Sequence, residues 1–137
     1  MTTTAPFETS WGIVHDAGRS QGPDFDTHAL HRGIELGDVE TLMGLYHADA
    51  TIEIVDQTAP PSTPNVLSGT AAIRAFYDDI SCRDMEHRLA TVIVDDAGAA
   101  FLERCQYPGG PGVVVASTIE LLDGRIARQV MVQSWDA

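Results

Sequence analysis

Between Leu36 and Asp79 the chain alternates helix, strand and helix signals, and every join between them is marked. Gly37-Asp38 precedes an amphipathic run of Val39, Leu42, Met43, Leu45 and Tyr46, so Asp38 is placed to cap a helix. Thr51-Ile52-Glu53-Ile54-Val55-Asp56 then alternates as a half-buried strand does. Pro60, Pro61 and Pro64 interrupt the pattern as a lid-like loop. Ser68-Gly69-Thr70 opens a second helix with Ile73, Phe76 and Tyr77 on one face. A strand held between two amphipathic helices must bury one face against them.

The remainder extends this plan. Upstream, a helix from Asp24 or Asp26 carries Phe25, Leu30, Gly33 and Ile34 and stops at Gly37, making an αα-hairpin with its successor. Downstream, residues 86–94 turn through Asp95-Asp96-Ala97-Gly98 into 99–107. Pro108-Gly109-Gly110-Pro111-Gly112 leads to 113–122, and Asp123-Gly124, a hairpin pair, leads to 125–135. Residues 1–22 read as an appendage, with a short helix capped by Ser10 and docked through Trp11; residues 23–137 form one domain. The expected class is α+β: a curved antiparallel sheet with helices packed on its concave face, closing a blind, cone-shaped pocket.

Composition narrows the partners. Twenty acidic residues against 8 basic ones give a net charge of -12, which repels phosphate backbones and anionic lipid. Nucleic acid and membrane are therefore not expected as partners. No apolar run approaches the ~20 residues of a membrane span, and Met1–Pro6 lacks the pattern of a signal peptide, so the expected location is cytoplasmic. Cys82 and Cys105 show no metal-ligand spacing and are expected reduced. Neither a phosphate loop nor a dinucleotide fingerprint is present, so no cofactor and no metal are expected.

Four separated motifs, Gly37-Asp38-Val39-Glu40, His47-Ala48-Asp49-Ala50-Thr51, Ser68 to Tyr77 and Asp123-Gly124-Arg125-Ile126, resemble the nuclear transport factor 2-like (NTF2-like) superfamily in its SnoaL-like and ketosteroid-isomerase-like branch. The resemblance covers about residues 24–136. It implies the cone-shaped fold and a small hydrophobic, oxygenated ligand; separately, the outward face of the meander (Leu102, Val114, Thr118, Val130, Val132) is too apolar for solvent and predicts a homodimer through the sheet. The steroid isomerases use a carboxylate base with a tyrosine and a protonated aspartic acid as oxyanion donors. Carried over, those positions fall on Ile54, Leu30 and near Ser117, so that triad is missing.

Strand parity nominates replacements. Ile54 and Asp56 share a face, which puts Asp56 at the pocket mouth, where desolvation would raise its pKa and suit it to act as a base. Phe101, Glu103, Cys105 and Tyr107 share another face, turned inward by the resemblance. A buried Glu103 carboxylate needs a partner, and His87 across the hairpin is the nearest candidate. The last strand turns Gln129, Met131, Gln133 and Trp135 inward, with Val130 and Val132 outward. By the resemblance, Tyr46 and Tyr77 fall where related isomerases have hydrogen-bonded tyrosines. The expected catalytic residues are thus Asp56, Glu103 and His87. The expected ligand contacts are Tyr46, Ile54, Phe76, Tyr77, Phe101, Cys105, Ser117, Gln129, Met131, Gln133 and Trp135. Isomerisation, cyclisation or dehydration would follow from such general-base chemistry. A non-catalytic binding or dimerisation module is the alternative, and epoxide hydrolysis the third reading, because the inward strand faces carry no arginine.

Overall fold

A computed structural model describes residues 25–136. The proposed appendage, with Ser10 and Trp11, lies outside the described residues. Among the described residues three helices, α1 (Thr27–Glu35), α2 (Val39–Met43) and α3 (Thr70–Ser81), accompany six strands. The strands are β1 (Tyr46–Val55), β2 (Asn65–Ser68), β3 (Glu86–Val94), β4 (Gly98–Gln106), β5 (Gly112–Leu122) and β6 (Arg125–Trp135).

The expected punctuation forms. Asp26 caps α1 by accepting from the Ala29 N–H, and Asp38 caps α2 by accepting from the Thr41 N–H. Each satisfies a donor that the first helical turn leaves without a partner. Asp123 and Gly124 both adopt positive φ, 53° and 77°, the backbone that a two-residue hairpin between right-twisted strands requires. A side chain at Gly33 would come within 2.8 Å of the Leu42 Cβ, so glycine lets α1 and α2 lie almost in contact.

The sheet runs β2-β1-β6-β5-β4-β3. The expected α+β cone stands, with three amendments. The sheet is mixed rather than wholly antiparallel, because β1 runs parallel to β6. The proline-rich connection ends in a strand, β2, which pairs antiparallel with β1. The run expected to extend the second helix through Tyr46 instead turns into β1, since α2 stops at Met43. One face of the sheet is buried under the helices through Ile52, Ile54, Phe101, Val113, Val115, Ile119, Ile126 and Met131. Leu30, Leu42 and Ile73 meet it from the helix side as part of the same core. Burial alternates along β5 and β6 as parity predicts, with a register shift at Glu120/Leu121.

The α1 helix is tied to the edge strand by a carboxylate. Glu35 accepts from the Leu89 N–H at 2.8 Å, where the β3–β4 register shifts between Leu89 and Thr91 and the ladder is interrupted. That hydrogen bond holds the Glu35 carboxyl below its ordinary range, against the opposing effect of burial. A pKa lower in the folded than in the unfolded chain stabilises above the unfolded value, and the benefit is lost as pH falls through the folded one. Glu35→Ala is expected to cost about 1–3 kcal/mol at neutral pH by orphaning the Leu89 N–H. The gap from the unsubstituted protein should narrow in acid, and thermal unfolding followed across pH checks both.

Candidate functional site

Between the helices and the sheet lies a cavity of about 340 Å³. Its floor is apolar, with Ile34, Leu42, Ile54, Val113, Val115 and Met131, and Phe76 and Ile80 cover it from α3. The sheet wall contributes His87 from β3, Glu103 and Cys105 from β4 and Gln133 from β6, and Glu35, Asp56, Ser81 and Arg83 border the cavity from helix ends and loops. This volume suits a small ligand held largely by apolar contacts with a few placed polar groups.

Antiparallel pairing builds the polar cluster. His87 lies directly opposite Cys105, and Glu103 lies two residues from Cys105 on the same face of β4. His87 Nδ1 is 3.0 Å from Glu103 Oε2, and the Cys105 thiol donates to the same oxygen at 3.2 Å. Both side chains of the His87–Glu103 pair are nearly nine-tenths buried. A carboxylate oxygen only accepts, so Nδ1 carries a hydrogen, and in the neutral imidazole the lone pair is then on Nε2. The thiol is pushed well up by burial, and next by the adjacent Glu103 charge, so Cys105 is a protonated donor rather than a nucleophile.

Gln133 is oriented from behind. Its Oε1 accepts from the Trp135 indole N–H at 3.2 Å, which leaves its NH₂ group without a protein partner among the described residues. Deeper lies a second polar row. Tyr77 and Tyr46 hydroxyls are 2.7 Å apart, Tyr46 donates to Gln129 Oε1 at 2.5 Å, and Gln129 Nε2 donates to Ser117 Oγ at 3.2 Å. Tyr46 has a single proton and spends it on Gln129, so the Tyr77 hydroxyl must donate to Tyr46. Burial raises the pKa of both tyrosines, which keeps them neutral hydrogen-bonding groups.

Of the expected ligand contacts, Ile54, Phe76, Tyr77, Cys105, Met131, Gln133 and Trp135 line the cavity, as do Asp56, Glu103 and His87. Tyr46, Phe101, Ser117 and Gln129 do not: they face the correct side of the sheet but lie in the core beyond the cavity. Leu30, at the isomerase tyrosine position, is likewise core. Asp56 differs from expectation in its chemistry. Its Oδ1 accepts from Thr58 N, Thr58 Oγ1 and Ala59 N in a tight turn. Hydrogen bonds led by the Thr58 side chain therefore lower its pKa, where desolvation was expected to raise it. Sequence reasoning missed Arg83, Met85 and Asn65, which line the cavity from loops and from β2. Strand parity cannot find a loop residue; the short turn after α3 was the one available signal for Arg83. That guanidinium is already held by Asp79 and the Tyr107 hydroxyl.

Residues 27–129 match the model of the SnoaL-like domain family. Among solved structures, an NTF2-like protein of unknown function from Mesorhizobium loti superposes with a TM-score of 0.65 at 18% identity, over 81% of this chain and 88% of that one. A suggested ketosteroid isomerase from Kribbella flavida gives 0.64 at 18% identity, over 81% and 75%. A computationally designed 17-OHP binder gives 0.59 at 17% identity, over 80% and 95%. At these identities the likeness establishes a shared fold. No curated protein matches the chain.

Proposed function

The chain belongs to the SnoaL-like domain family of the NTF2-like superfamily, and from that premise we propose that it binds a small hydrophobic, oxygenated molecule and abstracts a proton beside its carbonyl. The observation that carries this reading is the 3.0 Å His87–Glu103 pair set into the cavity wall beside Cys105 and Gln133. Such a pair has little structural reason to be buried there, since an apolar pair of similar shape would fill the space at lower desolvation cost. His87 Nε2 takes the proton α to the ligand carbonyl. Glu103 keeps the Nδ1–H in place and stabilises the imidazolium that forms. The Gln133 NH₂ donates to the developing enolate oxygen. Tyr77 is the weaker candidate for that task, because its proton already points at Tyr46. Returning the proton to another carbon isomerises the ligand; cyclisation and dehydration branch from the same enolate.

The test is incubation of the protein with cyclic ketones of steroid and polyketide type in D₂O, with chelator present. Protein-dependent deuterium uptake at the α carbon, read by NMR, is expected. Ligands that bind and shift protein resonances but take up no deuterium would instead support a non-catalytic binding module. That alternative draws on Ile54 and Leu30, which leave the isomerase base and donor positions apolar.

The same reading includes a homodimer. The outer sheet face carries Leu102, Val114, Thr118, Val130 and Val132, and Val132 keeps 49% of its surface exposed. A face this apolar suits a second copy of the chain. Sedimentation at micromolar concentration is expected to give a dimer, and a monomer would reject this part.

A further inference from the structure

Three donor atoms of different kinds converge on the cavity wall. His87 Nδ1, Glu103 Oε2 and Cys105 Sγ lie 3.0, 3.2 and 3.3 Å from one another. They follow no contiguous metal-ligand motif, because one comes from β3 and two from β4, and the β3–β4 register closes the triangle. All three border the cavity, so the space in front of them is not closed by the fold.

We propose that His87, Glu103 and Cys105 form a three-donor site for a divalent transition ion of the zinc class, with its remaining position open to the cavity. Zinc lies about 2.0–2.1 Å from imidazole nitrogen, 2.0–2.2 Å from carboxylate oxygen and 2.3 Å from thiolate sulfur. A tetrahedron with those bond lengths separates its donors by roughly 3.3–3.6 Å. The present triangle therefore needs to open by only a few tenths of an ångström. Mixed nitrogen, oxygen and sulfur donors select borderline transition ions over magnesium or calcium, which take oxygen. A carboxylate and a thiolate together neutralise the ion's charge, an asset at two side chains as buried as His87 and Glu103.

Without metal, the same atoms are held together by two hydrogens, one on Nδ1 and one on sulfur. Loading the ion replaces both: the thiol proton passes to solvent, and the imidazole shifts its hydrogen to Nε2. The metal then takes the carboxylate oxygen that orients His87 and removes the Nε2 lone pair. Metal loading and proton abstraction by His87 are thus exclusive states of one site. The metal site itself does not depend on that catalytic reading.

Cobalt is the probe, titrated into chelator-treated, reduced full-length protein with no organic ligand present. One equivalent should bind with a sulfur-to-cobalt charge-transfer band in the near ultraviolet and visible bands of four-coordinate intensity. Cys105→Ser should abolish the charge-transfer band. Zinc affinity, measured by calorimetry, should fall on the order of 100-fold or more, since loss of mere outer-shell partners already costs 10–100-fold. Cys82→Ala, which removes the exposed thiol, should change neither. If Cys105→Ser loses its far-ultraviolet dichroism, His87→Gln serves in its place, with the same fall in zinc affinity and weaker visible bands. Failure of the unsubstituted protein to bind at micromolar cobalt overturns the assignment. So does a band that survives Cys105→Ser or disappears in Cys82→Ala. Deuterium exchange in chelator reports separately on the proton-transfer reading, so either proposal can fall alone.

Discussion

His87→Gln is expected to slow protein-dependent α-proton exchange by about 10²–10⁴-fold, the usual contribution of a positioned acid or base. Glutamine keeps an N–H that can donate to Glu103 and roughly fills the imidazole volume. The carboxylate, which lies mostly buried, therefore keeps a partner, and the melting temperature should move little. What glutamine cannot do is accept a proton at neutral pH. Loss of rate with retained ligand affinity identifies His87 as the base. Loss of affinity and rate together would mean that the imidazole only shapes the cavity. An unchanged rate would remove His87 from the mechanism. The comparison should be made with chelator present, because the substitution also alters the proposed metal donors.

The largest stability effect should come from Gln129→Leu, at about 2–4 kcal/mol. Gln129 is fully buried, and among the described residues its amide is the only group that joins the tyrosine pair to Ser117. Leucine has nearly the same volume, so little cavity forms and the cost is polar. The Ser117 and Tyr46 hydroxyls each lose a partner in a place that water does not reach, and an unmet buried group costs about 1–3 kcal/mol. Denaturant unfolding measures the loss. The double variant Gln129→Leu/Ser117→Ala should recover part of it, since it removes one of the stranded groups. If the double variant were less stable than the single by the full cost of Ser117→Ala alone, the two residues would not be coupled.

How much of this could be read from the chain depends on distance along it. Alternation within β4 placed Phe101, Glu103 and Cys105 on one face, and the hairpin at Asp95 to Gly98 brought His87 to them. Those are local signals, and they located the polar cluster. Parity says which face a residue takes but not how deep it lies. Phe101, Ser117 and Gln129 were therefore expected at the ligand and are found beyond it. Asn65 to Ser68 were hidden as a strand because four residues after a run of prolines carry too short a pattern. The β1–β6 pairing was equally hidden, since partners so far apart leave no periodic trace. Asp56 misled because its environment was judged from its face alone. Thr58, two residues on, offers the hydroxyl and N–H that settle its chemistry.

The position of β6 between β1 and β5 has a consequence for biosynthesis. Every other long strand can find a neighbour soon after it is made, but β1 must wait for residues 126–132 to be translated before its inner edge is filled. A nascent chain emerging from the ribosome therefore carries an open β edge from the completion of β1 at Val55 until Ile126 has been added. Closing so long a loop is slow, and chaperone occupancy during that interval, rather than the stability of the finished fold, should govern how much of the protein a cell recovers.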